Sequence, residues 1–161
     1  MTDQPDQPAR PGLGPMPYDE GRCEELTLKL GRILAQITPE GWRRIDLKIL
    51  MLAGIADLSL SVVMKDGSSP EVQPVRELTE IAAELRSRMY RPGRGTWFGM
   101  RYMMDPPDAY WVSYNTDFDP LWDPPVPPEA YARDLETFPR DEPHLPDWLR
   151  DRVRQAAGGT G

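Results

Sequence analysis

On both sides of Ala53-Gly54, apolar residues recur at every second position. Ile45, Leu47, Ile49 and Met51 alternate along the first run, and Leu58, Leu60, Val62 and Met64 along the second. Asp46, Lys48, Asp57, Ser59 and Ser61 fill positions between them. A period of two sends successive side chains to opposite faces, so the pattern predicts a β-hairpin with one apolar and one polar face. Ala53-Gly54 supplies the turn, and Asp66-Gly67 ends the second strand. A lone hairpin is marginal in water; its apolar face needs a cover, while its polar face stays at least partly wet.

The flanking segments supply that cover. Leu26, Leu30, Ile33, Leu34 and Ile37 fall at helical spacing, predicting a helix over 22–38 that stops at Thr38-Pro39. Leu78, Ile81, Ala82, Leu85 and Met89 predict a second over 74–90, with Pro74 at its start and Pro92-Gly93 at its end. TWFGMRYMM and AYWVSYN then flank DPPD, an aromatic-rich strand pair about a turn. Helical patterns follow at 127–137 and 146–156, punctuated by Pro139, Pro143 and Pro146. The order α-ββ-α-ββ-α(α) predicts an α+β fold: a roughly four-stranded, mostly antiparallel sheet with helices packed on one face. The expected organisation is a disordered Pro/Gly/Asp-rich arm over 1–21, one domain over 22–156 and a flexible tail over 157–161.

Composition narrows the chemistry. The net charge of -7 argues against direct nucleic-acid binding and permits a basic partner. Cys23 and His144 are each the only residue of their type, so the chain builds no internal disulfide and no Cys/His zinc site. Any triad-type nucleophile would have to use His144, which lies between two prolines and reads as structural or exposed. Cys23, with no neighbouring base, reads as an inert thiol. No apolar run reaches the roughly 20 residues of a membrane span. MTDQPDQPARPG lacks the charged-then-apolar order of a signal peptide, so a cytoplasmic location is expected.

Charge placement is the strongest local anomaly. Between Arg101 and Arg133 there is no Lys or Arg, yet the interval holds Asp105, Asp108, Asp117, Asp119, Asp123 and Glu129, with Trp111, Tyr114, Phe118 and Trp122 interleaved. Carboxylates that steer encounter beside rings that bury on contact suit docking into a basic, partly apolar cleft. Asp105, Asp108, Asp117, Phe118, Asp119, Trp122 and Asp123 are the candidate interface residues. The competing reading is a solvated acidic loop whose aromatics belong to the core. Asp117-Phe118-Asp119-Pro120 does not continue as a calcium loop, and no metal or cofactor is expected.

Just upstream the sign reverses. Arg86, Arg88, Arg91, Arg94 and Arg101 come without an acid between them, around RPGRGTWF. That stretch lacks the spacing of the phosphate-binding loops, and its order is helix-loop-strand rather than strand-loop-helix. The arginines are expected to complement a helix C-terminus and in part to pair with the acidic segment. Trp148, with Leu145, Leu149 and Val153, predicts a stripe that ties the last helix to the domain.

Taken in order, PEGWRRIDLKILMLAG, MYRPGRGTWFGMRYMMDPPDAYWVSYN and PEAYARDLETFPRDEPHLPDWL resemble bacterial immunity proteins of the YezG type, cognate antitoxins of secreted polymorphic toxins. The resemblance covers about 22–152 and rests on the ordered set, since no single motif in it is catalytic. It implies a small cytoplasmic α+β protein that binds and blocks a toxin C-terminal domain, a nuclease or an NAD-degrading enzyme, with no catalysis of its own. It carries over no contact residues, so the interface candidates rest on charge and aromatic placement alone. Two other classes compete: a carboxylate-based or metal-dependent hydrolase using the 105–123 segment, and a non-inhibitory adaptor that recognises its partner through an exposed sheet face or edge strand.

Overall fold

In the computed structural model, which describes residues 14–159, the alternating runs pair as expected. β1 (Trp42–Leu52) and β2 (Ile55–Met64) form the hairpin about Ala53-Gly54, with Leu47 opposite Leu60 and Ile49 opposite Leu58. β3 (Gly99–Asp105) and β4 (Ala109–Asn115) form the second, and β3 lies antiparallel to β1. The sheet order is β2-β1-β3-β4. The strand β3 begins three residues later than the TWF start suggests; Trp97 and Phe98 are buried just before it.

α1 (Glu20–Ile37) is capped by the Asp19 carboxylate, which accepts from the Arg22 N–H at 3.1 Å. α2 (Arg76–Arg88) begins after Val75, so Pro74 precedes the helix rather than opening it. Leu26, Leu30, Ile33 and Leu34 of α1 and Leu78, Ile81, Ala82 and Leu85 of α2 pack on Ile45, Leu47, Ile49, Met100 and Tyr102 of the sheet. Each such side chain, taken wholly out of water, contributes roughly 2 kcal/mol to folding. Gly31 sets how closely α1 approaches: a Cβ there would stand 2.7 Å from the Tyr102 hydroxyl, which donates to the Thr27 carbonyl at 2.8 Å.

α3 (Pro128–Thr137) and α4 (Asp147–Gly159) follow, joined through a single 3-10 turn, Glu142–His144. Ala130, Tyr131 and Leu149 bury a second, smaller cluster with Leu52 and Phe98, edged by Leu145 and Trp148 of the expected stripe. An ion pair joins the two clusters. Arg86 of α2 and Asp134 of α3, each only 2% exposed, meet through two hydrogen bonds of 2.7 and 2.8 Å. Arg86 Nε also donates to the Trp97 carbonyl at 2.6 Å, and Asp134 accepts the Ala53 N–H at 2.7 Å. Arg86 is thus a buried structural cation rather than a complement to its helix end.

Of the expected arm, residues 1–13 lie outside the described residues. Residues 14–19 run beside the end of α2, where Met16 N–H donates to the Ser87 carbonyl and Arg88 to the Pro17 carbonyl. The helix α1 starts at Glu20, ahead of position 22, and α4 extends past 156 to Gly159. Among the described residues no helix is long and apolar enough to cross a membrane.

Candidate functional site

The even-numbered positions of β1 point away from α1 and α2, and the strand register carries that polar side across the sheet. Asp46 faces Ser61 and Met103, Lys48 faces Ser59 and Arg101, and Arg101 in turn faces Ser113. Leu50 and Leu52, at one end of this face, are buried. The remainder is open to solvent: a groove of about 500 Å³ runs over Asp46, Lys48, Ser59, Arg101 and Ser113, and the Asp119-Pro120 segment walls one end. A second hollow of about 320 Å³, over Arg44, Met103 and Trp111, continues it.

Two carboxylate–guanidinium forks cross this face. Arg44 meets Asp105 at 2.7 and 2.8 Å, and Arg101 meets Asp46 at 2.6 and 3.1 Å. The Arg44 hydrogen bonds hold Asp105 below the usual carboxylate range, and both arginines are held more firmly protonated. Arg44 also lies 5.9 Å over the Trp111 ring. Lys48 has no carboxylate partner among the described residues.

Beyond β4 the chain turns back through 115–121, and several polar groups of that loop are tied down. The Asn115 side chain donates to the Phe118 carbonyl and accepts the Phe118 N–H, both at 2.9 Å. Asp119 accepts the Leu121 N–H at 3.0 Å with one oxygen and Arg152 of α4 at 2.8 Å with the other. Trp148 Nε1 donates to the Asp117 carbonyl at 2.8 Å. Underneath lies Arg140, whose guanidinium donates to the carbonyls of Thr116 (2.6 Å), Thr96 (3.1 Å) and His144 (3.1 Å), with Asp117 at 3.4 Å. Burial pulls the Arg140 pKa below its ordinary value, against the neighbouring Asp117. Gly95, at φ +98°, packs so closely on this guanidinium that any Cβ would collide with it.

What this mount displays is apolar. Phe118 is 77% exposed and Leu121 76%, and Leu121 holds a left-handed backbone at φ 57°. A branched residue there is strained, since its Cβ crowds the following carbonyl.

The sequence candidates fall into two groups at opposite ends of β4. Asp105 and Asp108 flank the β3–β4 turn, whereas Asp117, Phe118, Asp119, Trp122 and Asp123 follow the strand. Six residue steps along β4 separate the ends by about 20 Å. Asp105 and Asp119 are engaged by Arg44 and Arg152, while Asp108 and Asp123 are exposed and Asp117 is largely so. Trp122 is not displayed; it packs against the second cluster with its Nε1 buried. None of the arginines in 86–101 pairs with the acidic segment: Arg86 takes Asp134, Arg88 takes Glu84 and Arg101 takes Asp46. Arg91 and Arg94 instead edge a hollow of about 350 Å³ with Thr116, Asp117 and His144.

Sequence reasoning missed Leu121, Asn115, Arg140 and Arg152. Leu121 carried a faint signal as an apolar residue directly after Pro120, in a stretch with no periodicity to bury it. Among the described residues no group of three His, Cys, Asp or Glu side chains stands ready to hold a metal ion. Cys23 is half-buried, and desolvation pushes its thiol pKa up rather than activating it. Compared with known proteins, the chain matches no family model and no curated relative.

Proposed function

We propose that the protein is an immunity protein: it binds a cognate secreted toxin domain in the cytoplasm and neutralises it by covering the active cleft, without catalysis of its own. One observation carries this reading. Of the seven large hydrophobic residues that the described chain exposes, four (Tyr110, Trp111, Phe118 and Leu121) lie within 110–121. Trp111 lies on a sheet face that no helix covers over most of its extent, and Phe118 and Leu121 follow beyond the far end of β4, whereas Tyr110 stacks on Tyr102 on the helix-covered face. Singly exposed apolar residues are ordinary, but Trp111 on the open face, with Phe118 and Leu121 together in the loop at its end, is what a surface built for a partner presents. The ordered resemblance to YezG-type immunity proteins supplies the class of partner. Exposed Asp108, Asp117 and Asp123, in a chain of net charge -7, suit one with a basic cleft. The hydrolase reading draws no support from this arrangement, because Asp105 and Asp119 stand at opposite ends of β4 and are each held by an arginine.

The test is a pull-down of the tagged chain from its native cells, followed by co-expression with any toxin C-terminal domain recovered. Growth rescue, a 1:1 complex by light scattering and toxin activity that falls linearly to zero at equivalence are the expected results. A complex in which toxin activity survives would establish the adaptor instead. No complex, and no rescue, would remove the immunity reading.

A further inference from the structure

We infer that the 115–121 loop is the anchor of that interface: a mount, built before binding, that presents Phe118 and Leu121 to an apolar socket in a protein partner. The inference rests on the function proposed above and deepens it. Three observations combine. Five of the loop's backbone groups, the Thr116, Asp117 and Phe118 carbonyls and the Phe118 and Leu121 N–H groups, are already held by Arg140, Trp148, Asn115 and Asp119 in the free chain, which lowers the ordering left to be done on binding. Its two outward side chains are large, apolar and about three-quarters exposed. Leu121 occupies a left-handed conformation that favours glycine, and the Asp119 carboxylate accepts its N–H there. A strained residue held in place by its neighbours and turned toward water is the pattern expected of a binding clamp.

The same geometry divides the acidic side chains by role. Asp119 is a positioning residue: both its oxygens serve the mount, one on Leu121 and one on Arg152. Asp123 remains exposed beside the two apolar side chains, where charge guides approach rather than holds the complex, and Asp117, also exposed, in addition meets the buried Arg140 at 3.4 Å. The partner is therefore a protein with an apolar socket for two side chains and basic groups along the rim that meets Asp117 and Asp123.

Binding kinetics of single variants against the purified toxin domain that the wild-type chain neutralises will test this. Phe118→Ala and Leu121→Ala are each expected to speed dissociation by about 30-fold or more, with association changed less than about threefold. Asp123→Lys is expected to slow association roughly tenfold in a salt-dependent way and leave dissociation alone. Asp119→Ala should behave like Leu121→Ala, and Asp119→Asn, which keeps an oxygen for the Leu121 N–H, should recover most of the affinity. In the free protein the Leu121 amide should be protected from hydrogen exchange, and Asp119→Ala should expose it without shifting the thermal midpoint by more than a few degrees. If wild type neutralises the toxin and both alanine variants bind within threefold of it, the anchor is wrong and the immunity reading stands. If wild type does not bind the domain at all, both fall together.

Discussion

Removing Asp134 should come close to unfolding the protein. The carboxylate is 2% exposed and serves two elements at once, accepting two hydrogen bonds from Arg86 and one from the Ala53 N–H at the β1–β2 turn. Asp134→Ala leaves the Arg86 guanidinium buried without a counter-charge, which costs about 3–5 kcal/mol. It also orphans a part-buried backbone N–H, worth about 1–3 kcal/mol when unsatisfied. The two losses overlap, so about 4–6 kcal/mol is the expected total, against a global stability of roughly 5–15 kcal/mol. Asp134→Asn keeps oxygen and geometry but not charge, and should lose less. The apolar pair Arg86→Leu with Asp134→Leu removes both charges together; it should cost less than Asp134→Ala alone, leaving a strong favourable coupling in the double-mutant cycle. Urea titration followed by tryptophan fluorescence measures the wild type, these variants and the single Arg86→Leu and Asp134→Leu changes that complete the cycle, with a constant m-value as the check that the unfolded state is unchanged. If Asp134→Ala lost less than about 1 kcal/mol, the pair would not join the two clusters and the argument would fail.

Three further outcomes are expected. Gly31→Ala should destabilise by about 1–3 kcal/mol in thermal unfolding, because the new methyl group stands 2.7 Å from the Tyr102 hydroxyl and overpacking outweighs the gain in helix propensity. Arg22, with Arg88 adding to it, holds the Glu84 carboxyl near about 2 against an ordinary 4.5, in opposition to desolvation. A depressed folded-state pKa contributes stability in full above 4.5 and loses it as pH falls toward 2, so Glu84→Gln should be less stable at pH 7 and show a flatter urea midpoint between pH 5 and 2. Leu121→Gly should raise the stability of the free protein by about 1 kcal/mol by relieving the left-handed strain, while weakening the toxin complex; a variant both less stable and equally tight would contradict the strain argument.

The fold was readable because its elements are local and periodic. Alternation in Ile45 to Met51 and in Leu58 to Met64 fixed both faces of the hairpin, and the Leu/Ile stripes of α1 and α2 fixed which side they cover. Helix boundaries moved by a few residues where capping outweighed apolar spacing: the Asp19 carboxylate starts α1 at Glu20, before the first stripe residue. What periodicity could not carry was the tie between distant segments. Arg86 and Asp134 are 48 residues apart, and nothing in the spacing of either says that each is the other's partner. Read along the chain, Arg86 belongs to a run of arginines at a helix end; only the packing of α3 against the β1–β2 turn takes it out of water.

The candidate site failed to read in the same way, and the failure is informative about how it works. A stretch that holds six acids and no Lys or Arg looks in sequence like a single negative surface. The fold breaks it in two by placing β4 between Asp108 and Asp117, then supplies Arg44 from β1, Arg152 from α4 and Arg140 from the segment between α3 and the 3-10 turn. Asp105 and Asp119 thereby become part of the scaffold, while Phe118 and Leu121 stand on display beside the exposed Asp117 and Asp123. A segment that looked acidic with aromatic anchors is, once folded, an apolar pair on a charged frame. Charge in the 115–121 loop fixes where Phe118 and Leu121 stand, and the side chains that the sequence pattern weighted least, Leu121 and the distant arginines, are the ones on which that placement depends.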